Sequence, residues 1–379
     1  MKPENFSRTF PLPACRAAVI VKAFNKEKRI QAATESALRA VPTVNGEVVF
    51  ADSDSFDRTV ELAQAHPISI AQLAHPDKRS CGIGPQLGFQ HSRGEFICLL
   101  DGDMQMLGGS LEQALALLTQ HGDVAGTSGR VVEQNKKSLE HLARGERLCT
   151  QRSPGSVDRR DGGGLYRRSA IEDAGYLSDR NLHSYEEFDL AVRLRVLRWR
   201  LWLLPVDAAN HFGQDAPPYR LLMQSWSTRY TSRLGELVRS AAGQPRLRWV
   251  LHGLRDLQLF VAVMAWWLAM VSIAFWPVSA AWRLAFFCAL LTAPVLLMTW
   301  RKRSVTKAVY AVVSWCFNAA GLLRARSPAR ALISRRIFKE PAIPTAAVDA
   351  NSDFLEPLPV PCKNRYESTS WFLPTPTFS

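Results

Sequence analysis

Over the first half of the chain, short apolar runs of strand length alternate with stretches whose apolar residues recur at helical spacing. Ala17 to Val21 is a continuous apolar run, and residues 26–40 follow with helical period. The same reading predicts strands over residues 47–51, 68–73, 95–100, 123–133 and 201–206, and helices over 57–65, 110–120 and 185–200. Residues 134–161 are too charged and irregular to assign. Alternation of this kind predicts an α/β layer with a mainly parallel sheet. Ligands in such sheets bind beyond the carboxyl ends of the strands, so the residues that follow each strand carry the functional information.

The second half has a different pattern. Leu257 to Trp282 contains no charged residue over 26 positions, long enough to cross a bilayer. Leu284 to Trp300 is a second uncharged run, interrupted only by Pro294, and the two predict a membrane hairpin. Trp266, Trp267, Trp276, Trp282 and Trp300 are expected to anchor it at the interface. A third apolar stretch, Ala308 to Leu323, is read as an interfacial helix, because crossing would carry Arg324, Arg326, Arg330, Arg335 and Arg336 outside; a third span stays possible.

Charge distribution sharpens this division. Of the net +13, residues 245–379 hold +10, with 16 Lys and Arg against 6 Asp and Glu; the preceding residues are nearly balanced at 31 against 28. The excess flanks apolar segments and is not interleaved with aromatics on a folded face, which argues against nucleic-acid binding. Ten basic residues and no acidic one lie between Arg301 and Lys339, so both hairpin ends, and the N-terminal domain, are expected in the cytoplasm at the inner membrane. MKPENFSRTFPLPACRA shows no apolar run after its first charges, so no signal peptide is expected. The seven cysteines form no CxxC pair and fit a reduced compartment.

Polar groups gather after the strands. Asp101-Gly102-Asp103 closes the fourth; in extended chain its two carboxylates face the same way and could meet one Mg²⁺ or Mn²⁺. An Asp-Gly turn closing a strand is the competing reading. Asp52-Ser53-Asp54-Ser55 closes the second strand and could equally cap the next helix. Ser184-Tyr185-Glu186-Glu187 has the spacing of a capping box, yet either glutamate could act as general base at a helix start. Asp189 and Arg193 are expected to form a surface pair of little energetic weight. His211 follows the last strand and could reach a metal as an imidazole ligand. Gly162-Gly163-Gly164 reads as close-approach backbone beside a ligand, whereas Gly82-Ile83-Gly84 lacks dinucleotide-binding spacing and no P-loop is present.

Taken in order over residues 15–213, these pieces resemble family 2 glycosyltransferases of the GT-A fold. Val19 to Asn25 is similar to the family's opening strand, Glu47 to Thr59 to its nucleotide-binding segment, and Arg93-Gly94-Glu95 with Leu100 to Met104 to its metal-binding motif. Gly163 to Ser169 followed by Gly175 resembles the acceptor-side segment, and Glu186 to Leu190 the motif carrying the base. The resemblance implies a nucleotide-diphospho-sugar transferase fold, with a Rossmann-like, mostly parallel sheet followed by C-terminal transmembrane helices. It places the nucleotide sugar on Ala23, Asn25, Asp52, Arg79, Asp101, Gly163 and Gly164, the Mg²⁺ or Mn²⁺ on Asp101, Asp103 and His211, and the catalytic base on Glu187 with Glu186 beside it. The implied donor is a UDP- or GDP-sugar, and the membrane hairpin implies a lipid-linked or other membrane-proximal glycan acceptor in surface polysaccharide or glycolipid synthesis.

Departures from the family pattern are Ser53 in place of the second aspartate and Glu186-Glu187 in place of Glu-Asp. Gln224 and Arg229 lack the spacing of the processive Gln-x-x-Arg-Trp element, which favours addition of a single sugar. The expected organisation is an N-terminal extension (1–14), a GT-A domain (15–214), a basic helical linker (215–250), a membrane hairpin (251–300), a basic interfacial segment (301–340) and a disordered tail (341–379). A catalytically silent membrane scaffold and a nucleotidyltransferase remain alternatives at this point.

Overall fold

The computed structural model describes residues 15–75, 79–134, 154–158, 163–213, 216–325 and 338–339. Its centre is one mixed sheet. The strands are β1 (Ala17–Ala23), β2 (Gly46–Asp52), β3 (Ser69–Leu73), β4 (Phe96–Asp101), β5 (Met104–Met106), β6 (Val124–Glu133), β7 (Gly155–Val157), β8 (Gly164–Arg167) and β9 (Arg200–His211). They run in the order β3-β2-β1-β4-β8-β6-β9-β5, with β7 added to β9 and a two-residue strand, Phe338–Lys339, paired antiparallel on the outer side of β3. β3, β2, β1 and β4 are mutually parallel, and β8 enters antiparallel between β4 and β6. Ala17, Ala18, Val19, Ile20 and Val21 are all fully buried, which explains why β1 is a continuous apolar run with no alternation: both faces are covered.

Helices α1 (Ile30–Ala40), α2 (Thr59–Gln64), α3 (Ile83–Gln90), α4 (Ser110–Gln120), α5 (Arg168–Asp173) and α6 (Glu186–Val196) cover the sheet. α3 has no counterpart among the predicted elements, because Gly82, Gly84, Pro85 and Gly88 disguise it. Its glycines serve packing: a Cβ on Gly88 would lie 2.2 Å from Cγ2 of Ile20 in β1, so only glycine lets this helix lie against the strand. The last strand runs to His211, five residues beyond its predicted end, and α1 starts at Ile30, after a turn at residues 27–29. Most of residues 134–161, Gly162, Arg326 to Arg336 and the tail lie outside the described residues.

The linker folds into α7 (Pro218–Ser227), α8 (Arg233–Ala241) and α9 (Leu247–Gly253). Three long helices follow, α10 (Arg255–Ala274), α11 (Ala280–Lys302) and α12 (Val305–Arg324), and each is long and apolar enough to cross a membrane. Trp266 and Trp267 are partly buried against the helical group. Trp266 donates its indole N–H to the Leu290 carbonyl at 2.9 Å, which gives its polar atom a partner. Trp276, Trp282 and Trp300 are exposed, as an anchoring role requires.

α12 also lies along α7. Tyr219 meets Tyr310 at 5.5 Å and Trp226 meets Phe317 at 5.6 Å; both partners advance by seven residues, so the two helices run in the same direction. At the C-terminal end Arg324 donates to the Trp226 carbonyl at 2.8 Å.

The linker is fastened to the sheet domain by a buried charge cluster. Asp189, fully buried in α6, accepts from Arg193 Nε at 2.8 Å and from Arg246 at 2.5 Å. Arg193 also donates to the carbonyls of Ala174, Tyr176 and Leu177, and Arg246 to that of Ser240. The surface pair expected from the i, i+4 spacing is therefore an interior one. Sequence spacing shows that Asp189 and Arg193 share a helix face, but not that α9 and the segment before it cover that face.

Candidate active site

The carboxyl ends of β1, β2 and β4 converge with the first turn of α6. Ala23 closes β1, and its carbonyl accepts the Ser53 amide at 2.9 Å, which joins the β1 and β2 ends. Asn25, in the left-handed region at φ 51°, donates its amide to Ser55 Oγ and accepts the Phe56 amide on Oδ1. Arg79 spans the same turn, with Nε on the Ser53 carbonyl at 2.9 Å and a terminal nitrogen on the Asp54 carboxylate at 2.9 Å, while its guanidinium stacks over Phe24. Ala23, Asn25, Asp52 and Arg79 thus form one continuous wall.

Asp52 is the most telling member of that wall. Its Oδ2 accepts the Ser55 amide at 3.0 Å and Gln72 Nε2 at 3.5 Å, whereas Oδ1 is buried and has no hydrogen-bond partner among the described residues. Burial pushes the Asp52 carboxyl above the usual aspartate range, against the hydrogen bonds from Ser55 and Gln72 that lower it. An orphaned carboxylate oxygen is costly in a stable fold and marks a place for a donor N–H from a ligand.

Asp101 and Asp103 do not share one face. The chain turns at Gly102 and Asp103 between β4 and β5, so the two-residue alternation of an extended strand is lost. Asp101 turns to Lys22, at 3.0 Å, and the same ammonium lies 3.2 Å from Glu186 Oε1. Burial disfavours the Lys22 charge, but the carboxylates of Asp101, Glu186 and Glu187 outweigh it and hold the ammonium well above its usual range. Asp103 instead meets Lys26 through Oδ2 and His211 Nε2 through Oδ1, the latter at 3.7 Å.

Strand register places these groups. Met104 pairs with His211 across β5 and β9, and Glu133 pairs with His211 across β6 and β9. Glu133 Oε2 lies 2.5 Å from His211 Nδ1, which directs Nε2 towards Asp103. Among the described residues no group of three His, Cys, Asp or Glu side chains converges as a metal cage. Asp103 and His211 are nevertheless both buried and adjacent, an oxygen and a nitrogen donor with a carboxylate behind the imidazole. Such a pair fits a Mg²⁺ or Mn²⁺ ion that completes its shell with phosphate and water, while Asp101 is engaged by Lys22.

The first turn of α6 does not form a capping box. Tyr185, at φ 65°, is the N-cap residue with no side-chain cap, and Glu187 accepts the amide of Gly163 at 2.9 Å through Oε1. Gly163 has φ 92°, and a Cβ there would lie 2.5 Å from the Leu99 carbonyl oxygen, so the glycine brings backbone close to both β4 and Glu187. Gly164, beside it, opens β8. Lys22, Lys26 and Glu133 were not singled out by the sequence reading. The only signal was position, since Lys22 and Lys26 flank the end of β1 and Glu133 ends a predicted strand.

Residues 18–175 match the family model described as Glycosyl transferase family 2. These residues form a family 2 glycosyltransferase domain. The mannosyltransferase PcManGT from Pyrobaculum calidifontis, solved in complex with GDP-Man and Mn²⁺, aligns with a TM-score of 0.51 at 18% identity, covering 80% of this chain and 87% of that one. That alignment shows a common fold of GT-A type. S. aureus TarS 1–349 in complex with UDP-GlcNAc aligns at 0.45 and 15% identity over 78% of this chain and 90% of that one. Against full-length S. aureus TarS the score is 0.44 at 17% identity; 61% of this chain aligns, and it spans 44% of TarS. No curated protein sequence matches. The sheet ends and the start of α6 thus form one site, with Lys22 joining the two.

Proposed function

We propose that this chain is a membrane-anchored, inverting glycosyltransferase that moves one sugar from a UDP- or GDP-sugar to a hydroxyl of a lipid-linked or other membrane-proximal glycan acceptor. The observation that carries this reading is the Lys22 bridge, which fixes the Asp101 end of the donor wall 3.0 Å, and the Glu186 start of α6 3.2 Å, from one ammonium. A donor wall and a candidate base are thereby held at one place, as a group transfer between two bound substrates requires.

The Asp52 wall takes the nucleoside, with the orphaned Oδ1 accepting an N–H of the base. Gly163 and Gly164 line the site beside the sugar. Asp103 and His211 hold the cation, which when bound neutralises the charge that builds on the departing diphosphate. PcManGT, of the same fold, was solved with GDP-Man and Mn²⁺, which supports a donor and an ion of this class. Glu187 takes the proton of the acceptor hydroxyl as that oxygen attacks the anomeric carbon from the face opposite the diphosphate. Its hydrogen bond from Gly163 holds the carboxylate in place, and Lys22, 3.2 Å from neighbouring Glu186, fixes the start of α6 beside it.

The membrane assignment rests on α10 and α11, with the domain on the cytoplasmic side at the inner membrane. α12 lies at the interface, supported by its parallel packing along α7, which leaves the sheet domain directly after β9 and carries Arg220 and Gln224. The acceptor then meets the site from the membrane surface.

The test is a screen of UDP- and GDP-sugars for Mn²⁺-dependent hydrolysis and transfer by the full-length protein in nanodiscs. One sugar nucleotide should be consumed, and Asp103→Asn should abolish its use. Consumption of none, or undiminished turnover by Asp103→Asn, overturns the assignment. Glu133→Gln should weaken Mn²⁺ binding in the presence of nucleoside diphosphate by roughly 10- to 100-fold, the usual cost of losing the partner of a ligating histidine. Titration calorimetry reads that change, and unaltered affinity removes Glu133 from the site.

A further inference from the structure

The Lys26–Asp103 contact bears on how the cation enters. Lys26 extends from the turn after β1, its amide fixed on Thr59 Oγ1 at 2.7 Å, and its ammonium sits on Oδ2 of the carboxylate that is to hold the metal. Both side chains are largely shielded, with exposures of 23% for Lys26 and 10% for Asp103. The opposite oxygen faces His211 Nε2. An ammonium and a divalent cation on one carboxylate repel each other strongly where water is scarce, and each occupies lone pairs the other requires.

We propose that Lys26 guards Asp103 against the bare cation and yields it only when a nucleoside diphosphate arrives, so that metal and donor bind as a coupled pair. The diphosphate supplies the negative charge that makes the exchange favourable. Lys26 would leave the carboxylate for a phosphate oxygen, to which lysine binds as a point charge, and Asp103 would then be free to hold the metal. Coupling of this type is reciprocal: nucleotide strengthens metal binding by the same factor by which metal strengthens nucleotide binding. A site arranged in this way keeps the ion from being held without substrate and returns it with the departing nucleoside diphosphate.

This inference rests on the metal role of Asp103 proposed above, and the experiment separates the two. Full-length protein in nanodiscs is titrated with Mn²⁺, and free ion is followed by its electron paramagnetic resonance signal, in the absence and presence of UDP or GDP. The parent should bind Mn²⁺ alone at least about 10-fold more weakly than with the effective nucleotide, within the range usual for coupled sites. Lys26→Met should strengthen binding of Mn²⁺ alone by about 10-fold and shrink the nucleotide effect. Lys26→Gln, which keeps a polar head, should do the same, and circular dichroism checks that both fold. If both variants bind Mn²⁺ alone as the parent does while Asp103→Asn abolishes binding, the guarding role is wrong and the metal site stands. If Asp103→Asn binds Mn²⁺ as the parent does, the metal assignment fails and this inference with it.

Discussion

Glu187→Gln is expected to lower sugar transfer by roughly 10²- to 10⁴-fold, the usual contribution of a positioned general base. Glutamine keeps the size of the side chain and can still accept the Gly163 amide that Oε1 accepts at 2.9 Å, so the start of α6 should be undisturbed. It cannot take a proton from the acceptor. Nucleoside diphosphate affinity should therefore stay near the parent value while turnover falls. Glu186→Gln makes the informative comparison, because Glu186 faces Lys22 at 3.2 Å and its loss should disturb donor binding as well as turnover. Transfer by Glu187→Gln within about 10-fold of the parent would remove it as the base, since that is below the usual contribution of such a group. A larger loss of turnover in Glu186→Gln, with donor affinity intact, would move the role to Glu186.

The largest effect on stability is expected at Asp189. Its carboxylate is fully buried between Arg193 and Arg246, whose side chains are 8% and 7% exposed. Asp189→Ala leaves two guanidinium groups with their counter-charge gone, and breaking a buried ion pair in this way costs about 3–5 kcal/mol. Tm should fall by on the order of 10 °C, read by tryptophan fluorescence of the full-length protein in detergent. Arg246→Met should cost less, since Arg193 still pairs the carboxylate and an apolar side chain replaces part of the packing. A Tm for Asp189→Ala within about 2 °C of the parent, less than 1 kcal/mol shifts a domain of this class, would show that the cluster does not hold the linker to the domain.

The uneven legibility of the site has physical causes. β1, β2 and β4 were readable because burial on both faces imposes continuous apolar runs, and that placed Ala23, Asp52 and Asp101 at strand ends. α3 was not readable, because its glycines answer to the proximity of Ile20, a residue distant in sequence. Asp101 and Asp103 were paired by strand alternation, which a turn at Gly102 cancels. Glu187 was caught between capping and catalysis, and the capping reading falls to a contact with Gly163, 24 residues away. Glu133 becomes visible only through the register of β6 and β9.

The sequence by itself determined the alternating α/β domain, the apolar segments long enough for a membrane and the set of acidic groups at one sheet edge, because periodicity, run length and charge are local properties of the chain. The tertiary structure alone decided which of those groups face one another: Asp103 with His211 and Lys26, Asp101 with Lys22 and Glu186, Asp189 with Arg246. Those pairings depend on strand register, on the turn between β4 and β5 and on the packing of the linker against α6, and side chains brought together across long stretches of chain leave no periodic trace.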